Sequence, residues 1–306
     1  MAELQMPEKW DADRELTGEM VRAALQEALP ASESLSLEYL GSGWDFDAYL
    51  ANKTYVARFP RRKAVAENLP REVTISETVR ELVGSAFELP CLEIRGKDQT
   101  HFHYPFLLQN YIPGVDLDEL EHPSDELARD LGKALGILHG VPVSIDRDGF
   151  FGRDIRDCME SFDDVLKKAA EDRALETTIP EAYEWLGGFP DIPDDYTGPE
   201  RFIHDDLCAD HIIVNPETGK LLGIIDWSDA AFGDPVLDFI VFVMSYGYEF
   251  CDSVLENYEL DVDTGFRERL EFFAKTLSIE WFFEDVKRNK DLAKHSVWVK
   301  NAFRLV

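Results

Sequence analysis

Residues 202–214 read FIHDDLCADHIIV. His204, Asp205, Asp206, Asp210 and His211 stand in one short polar segment, with Phe202-Ile203 before it and Ile212-Ile213-Val214 after it. Runs of β-branched and aromatic residues predict two short strands, so the polar segment is a tight loop. A further carboxylate, Asp226, ends the apolar run LLGIID at 221–226, which pairs back after the turn Pro216-Glu217-Thr218-Gly219. Asp206 and Asp226 are thus expected at the ends of neighbouring strands. Phosphoryl transfer needs such a pair: one carboxylate accepts or orients the proton of the attacking hydroxyl, and the other holds Mg²⁺ on the nucleotide phosphates. His204, Asp205 and Asp210 are read as loop-bracing groups, Asp234 as a helix cap and Asp238 as a partner for nearby backbone.

The elements that must position this loop follow from periodicity. Leu16, Met20, Val21, Ala24, Leu25 and Leu29 recur at helical spacing, which predicts a helix over 13–29 ending at Pro30. LSLEYLG (35–41), DAYLA (47–51) and TYVARFP (54–60) read as strands, with Asn52-Lys53 closing a hairpin. Pro70 is expected to open a helix whose apolar face is Ile75, Val79, Leu82 and Val83. Strands follow near 91–95 and 105–112, and Ile112-Pro113-Gly114 reads as a hinge. Helices then fit the leucine series 127, 131, 135 and 138, and the stretches 154–173, 180–187, 235–245 and 270–281, with another over 249–258 where acidic residues share one face. The chain divides into a β-rich amino-terminal lobe, 1–112, and a larger helical lobe, 113–306.

The composition narrows the partners. Sixty-one acidic residues against 31 basic ones give a formal charge of −30, which repels nucleic acid and anionic membranes and attracts cations; adaptation to high salt is the rival cause. Cys91, Cys158, Cys208 and Cys251 form no CxxC pair and fit free thiols in a reducing cytosol. The amino terminus has neither a basic start nor an apolar run, so no signal peptide is expected. FIVFVM at 239–244 is too short to span a bilayer. The expectation is a cytoplasmic protein, monomer or weak dimer, with no nucleic-acid or membrane partner.

The series HDDLCADHIIV…GIIDWSDAAFGDPVLDF resembles the aminoglycoside phosphotransferase family, near its aminoglycoside 2″-phosphotransferase and macrolide phosphotransferase branches. His-x-Asp, a His five residues after the Asp, Ile-Asp-Trp, Gly-Asp-Pro and Asp-Phe occur in the family's order and spacing. The resemblance implies an α+β, bilobal protein-kinase-like fold with the nucleotide between the lobes. It implies Asp206 as the catalytic carboxylate, Asp226 as principal Mg²⁺ ligand, His211 at a metal-ligand position and His204 as a brace. Imidazole is a softer ligand than Mg²⁺ usually takes.

On the phosphate side, Gly41-Ser42-Gly43 joins two strands, and glycines there let the backbone approach phosphates. Arg58, in TYVARFPRR, stands where the family more often has lysine; Arg binds phosphate bidentately. Glu72 is its expected partner, or else a complement to the helix dipole. Gln109, Tyr111 and Ile112 would lie behind the base. The implied activity is transfer of the γ-phosphate of ATP or GTP, with Mg²⁺, to a hydroxyl of a cationic aminoglycoside, giving antibiotic resistance. The alternatives are a macrolide 2′-phosphotransferase, a small-metabolite kinase and a nucleotide-binding pseudokinase, the last motivated by Arg58. A polyamine acceptor needs carboxylates around its ammonium groups; Glu249, Asp252, Glu280 and Glu284, with Trp281 to stack on a sugar, are the candidates. Asp191, Asp194 and Asp195 add a further acidic cluster, and Phe282 and Phe283 would line an apolar groove for a macrolide.

Overall fold

The computed structural model describes residues 12–29, 35–84, 86–96, 102–141, 155–188 and 191–305, with the side chains of 155–161 excepted. Pro30 lies outside them, as does the side chain of Cys158. Among the described residues Cys91, Cys208 and Cys251 are free thiols, and no helix is long and apolar enough to cross a membrane. The chain forms two compact units, residues 1–81 with 88–113, and residues 82–87 with 114–306.

The first unit is an antiparallel sheet with a helix on each face. Helix α1 (Gly18–Ala28) begins where Thr17 accepts from the Met20 amide, later than periodicity alone places it. The strands are β1 (Leu37–Ser42), β2 (Phe46–Ala51), β3 (Tyr55–Pro60), β4 (Leu92–Arg95) and β5 (Phe106–Asn110), in the order β1-β2-β3-β5-β4. Asn52 and Lys53 both have positive φ (53° and 55°), the two-residue turn whose twist matches a β-hairpin. The pleat then divides the side chains. Ala57, Phe59, Phe106 and Leu108 pack with Val21, Ala24 and Leu25 of α1. Phe46 and Leu107 pack with Val65 and Leu69 of α2 (Lys63–Val83) on the other face. Pro70 does not open α2 but sits inside it. The first turns bury Val65, Ala66 and Leu69, and that burial outweighs the loss of one backbone donor at the proline.

In the second unit β6 (Val115–Asp116), β8 (Ile212–Val214) and β9 (Leu221–Ile224) form one small sheet, and β7 (Arg201–Ile203) pairs with β10 (Ala231–Gly233) in another. A Cβ at Gly114 would fall 2.5 Å from the Ile213 side chain and 2.6 Å from the Val214 carbonyl, so only glycine lets β6 approach β8. The helices are α3 (Asp125–His139), α4 (Ile155–Glu171), α5 (Ala174–Thr178), α6 (Pro180–Gly187), α7 (Ile240–Tyr246), α8 (Tyr248–Glu256), α9 (Phe266–Lys287) and α10 (Ala293–Ala302). The expected helix over 235–245 is a 3₁₀ turn, Pro235–Phe239, running into α7, with Asp234 accepting from the Val236 amide at 3.1 Å. Helix α9 is buried on several sides, and Phe282 and Phe283 are 0% and 3% exposed. They belong to the core and line no groove.

Candidate active site

The loop between β7 and β8 is built on a buried carboxylate. Asp238 accepts from the backbone N–H of His204 at 2.8 Å and of Asp205 at 3.0 Å. Its Oδ2 also lies 3.0 Å from His139 Nε2 at the end of α3. A carboxylate only accepts, so the ring proton is on Nε2, and Nδ1 accepts from the Tyr258 hydroxyl at 2.9 Å. Asp238, His139 and His204 are all fully buried. Every element of this anchor comes from a different part of the second unit, so it fixes the start of the loop against the helical core.

His204 braces the other side. Its Nε2–H donates to the Ile225 carbonyl at 2.9 Å, tying β7 to the end of β9. Burial, then the neighbouring His211, depress its pKa, so the ring is held neutral. The Trp227 ring lies 4.5 Å from it, and Trp227 Nε1–H donates to the Ile224 carbonyl at 3.0 Å.

Three candidate groups converge in the space this frame leaves. His211 Nδ1 lies 2.8 Å from the Asp206 carbonyl oxygen, 3.1 Å from Cys208 Sγ and 3.9 Å from Asp206 Oδ2. His211 Nε2 lies 3.7 Å from Asp226 Oδ2. The Asp206 side chain is 42% exposed and that of His211 14%. Burial alone would lower the His211 pKa, but Asp226, Asp206 and Asp210 together outweigh it and raise it. Asp205 and Asp226 hold left-handed backbone, φ 66° and 62°, and the turn at Asp226 carries its carboxylate out of the alternation of β9. Ser228 Oγ donates to Asp226 Oδ1 at 3.3 Å.

The residues fit Mg²⁺ in part. Asp226 offers the hard oxygen that this ion prefers, and Mg²⁺ sites commonly use only one or two carboxylates beside phosphates and water. His211 adds an imidazole rather than the usual oxygen.

In the first unit the strand pleat puts Arg58, opposite Leu107 in the sheet, on the α2 face. There Arg58 Nη1 meets Glu72 Oε1 at 2.5 Å, with the guanidinium 4.2 Å from the Phe46 ring centre. Glu72 lies in the middle of α2, so a helix-dipole role is replaced by this ion pair. Gly41 follows a bulge in β1, Gly43 N–H donates to the Phe46 carbonyl at 2.9 Å, and Ser42 accepts from Arg61. Arg62 pairs with Asp45. Gln109 is buried in β5, the Tyr111 amide donates to the Thr54 carbonyl at 2.8 Å, and Ile112 is buried.

The acceptor candidates are spread over two helices. On α8, Glu249 is exposed and Asp252 pairs with Arg267. On α9, Trp281 is 37% exposed, and Glu284 faces Lys168 at 3.3 Å and Arg288 at 3.7 Å; Glu280 is partly exposed. Asp191, Asp194 and Asp195 are exposed in an extended segment. Sequence reading missed His139 and Tyr258, and treated Cys208 only as a free thiol. The one available signal was a histidine closing an otherwise apolar helix face.

A β-sheet unit with a strand arginine paired to a helix glutamate, and a helical unit with this loop, define the protein-kinase-like α+β fold. The model of the phosphotransferase enzyme family matches residues 36–272, and the chain belongs to that family. The uncharacterized protein YcbJ of Bacillus subtilis is 26% identical over 265 residues, 81% of this chain and 82% of that protein. A structure of the GDP and kanamycin complex of an APH(2″) enzyme superposes with a TM-score of 0.66 at 24% identity, covering 93% of this chain and 96% of the other. The macrolide 2′-phosphotransferase MphH of Brachybacterium faecium superposes with a TM-score of 0.57 at 18% identity, covering 88% and 91%.

Proposed function

We propose that the chain transfers the γ-phosphate of ATP or GTP to a hydroxyl of an aminoglycoside. The observation that carries this reading is the pair of carboxylates on either side of His211, Asp206 in a loop whose entry is fixed by Asp238 and Asp226 at the end of β9. Asp206 takes the proton of the acceptor hydroxyl as its oxygen bonds to the γ-phosphorus, and the bridging oxygen leaves with the nucleoside diphosphate. Asp226 and His211 would hold Mg²⁺, which would neutralise phosphate charge. Gly41, Ser42, Gly43 and Arg58 serve the phosphates, with Glu72 aiming Arg58; Gln109, Tyr111 and Ile112 serve the base. Ammonium groups of the acceptor meet Glu249 and the Trp281 face, with Glu280, Asp252 and Glu284 as the further carboxylates.

A macrolide acceptor is the second reading, favoured by the likeness to MphH. The burial of Phe282 and Phe283 removes the apolar groove that sequence offered it. The test is phosphate transfer by the purified protein from each nucleotide to a panel of aminoglycosides and macrolides. Aminoglycoside turnover that declines with added salt is expected, because exposed charge attraction is screened. Turnover of macrolides alone selects the second reading, and nucleotide binding with no turnover of either class selects a pseudokinase or a metabolite kinase.

A further inference from the structure

The loop holds one group that phosphoryl transfer does not use. Cys208 lies between the two residues assigned to chemistry, its Sγ 3.1 Å from His211 Nδ1. Among the described residues, Asp206, Cys208 and His211 form a group in which one ligand atom from each lies within 4.8 Å of the others. Mg²⁺ has no use for sulfur, whereas thiolate with imidazole and carboxylate is a zinc donor set. We propose that the catalytic loop is also a binding site for a thiophilic dication of the Zn²⁺ class, and that its occupation switches the enzyme off.

The spacing is close to what such an ion requires. Zinc–sulfur and zinc–nitrogen bonds of about 2.3 and 2.0 Å at tetrahedral angles put sulfur and nitrogen about 3.5 Å apart. The observed 3.1 Å, and the 3.9 Å from Nδ1 to Asp206 Oδ2, each differ from tetrahedral spacing by about half an ångström. Asp206 supplies the third ligand and is exposed enough to admit the ion and leave a fourth position to water. Asp206 and Asp210 stand on either side of Cys208 in the loop, and their negative charge attracts a dication.

The protons balance. The ion replaces the Sγ proton, which goes to buffer, and the Nδ1 proton, which goes to buffer from a charged ring or to Nε2 in a neutral one; the 2.8 Å hydrogen bond from Nδ1 to the Asp206 carbonyl is given up in exchange for the metal bond. The ring then keeps its proton on Nε2, facing Asp226 Oδ2 at 3.7 Å. A carboxylate behind a metal-bound histidine is a recurrent arrangement. Occupation therefore engages Asp206 and His211 at once, and neither is left for the acceptor proton or for Mg²⁺. The inhibition rests on the proposed function; the binding does not.

The binding test uses full-length protein without nucleotide and Co²⁺ alone as probe. The wild type should show one near-ultraviolet thiolate-to-cobalt charge-transfer band, bleached by one equivalent of Zn²⁺. Cys208→Ser should lose that band and bind Zn²⁺ at least tenfold more weakly by calorimetry, while Cys91→Ser keeps both. No band in the wild type, or an undiminished band in Cys208→Ser, overturns the site. Inhibition is read as the ratio of rates with and without Zn²⁺ at excess Mg²⁺, each protein against its own zinc-free rate. A loss of tenfold or more in the wild type and a much smaller one in Cys208→Ser is expected. Equal loss in both overturns the switch, and a chain with no turnover at all fails the functional reading while the cobalt band still decides the site.

Discussion

Two sets of carboxylates in the second unit behave differently. Asp238 is fully buried and makes three hydrogen bonds, to two backbone amides and a histidine. Glu249 and Asp252 stand at the surface of α8, where Asp252 meets a half-exposed Arg267. A buried acid costs several kcal/mol to desolvate and must be repaid by fixed partners, whereas an exposed pair contributes about 0–1 kcal/mol. The comparison teaches that this highly acidic chain keeps its specific electrostatics in a few buried groups, Asp238 beneath the loop and the Arg58–Glu72 and Arg269–Asp234 pairs among them. The remaining negative charge acts as a field rather than as structure.

The sharpest way to strain that comparison is at the loop. Asp206→Asn should stay folded and bind nucleotide, yet lose about two orders of magnitude or more in turnover; unchanged steady-state kinetics would remove Asp206 from the reaction. Next in size is Asp238→Ala, which strands two amides and a buried histidine. It should lower unfolding stability by about 3 kcal/mol, and a denaturant midpoint equal to wild type would show that the anchor is dispensable.

Asp116 gives a smaller, pH-dependent effect. Burial, then Asp210 and Glu119, raise its pKa to about 6. The folded state thus favours the neutral acid, and the stability this brings is present at low pH and lost as pH rises through about 6. Asp116→Asn should stabilise by about 1 kcal/mol at neutral pH, after discounting for partial exposure, and by almost nothing near pH 4. Thermal melts showing the same shift at both pH values would contradict the assignment. The smallest expected effect separates the two surface acids. Glu249→Gln should raise the aminoglycoside KM about threefold at low salt, and Asp252→Ala should leave it unchanged, as suits exposed charges worth under about 1 kcal/mol. Equal effects from the two would put both, or neither, at the acceptor.

How much was legible in the sequence follows from the range of each interaction. The Asn52-Lys53 turn and the strands beside it are local, so periodicity and turn chemistry found them. The pairing of Arg58 with Glu72 was legible only through the family resemblance, in which a strand cation pairs with a glutamate of the following helix. Pro70 misled, since tertiary burial of Val65 and Leu69 overrode a local breaker. Strand β10 has three residues and no period of its own; it exists because β7 pairs with it. The anchor of the loop was least legible: His139, Asp238 and Tyr258 are far apart in the chain, and nothing local marks a histidine as the partner of a distant acid. The buried ion pair between Arg269 and Asp234, at 2.5 Å, was hidden in the same way inside an apolar helix.

The left-handed backbone at Asp205 and Asp226 bears on how any scan of this loop is read. Aspartate and asparagine visit that region at little cost, glycine freely, and a residue such as alanine at about 1–2 kcal/mol. An alanine library would therefore report lost protein at both positions for reasons unrelated to the carboxylate. Asparagine keeps the shape and removes the charge; glycine keeps the backbone and removes the side chain. Abundance and turnover measured together on those two replacements, rather than on alanine, separate what the turn demands from what the reaction demands.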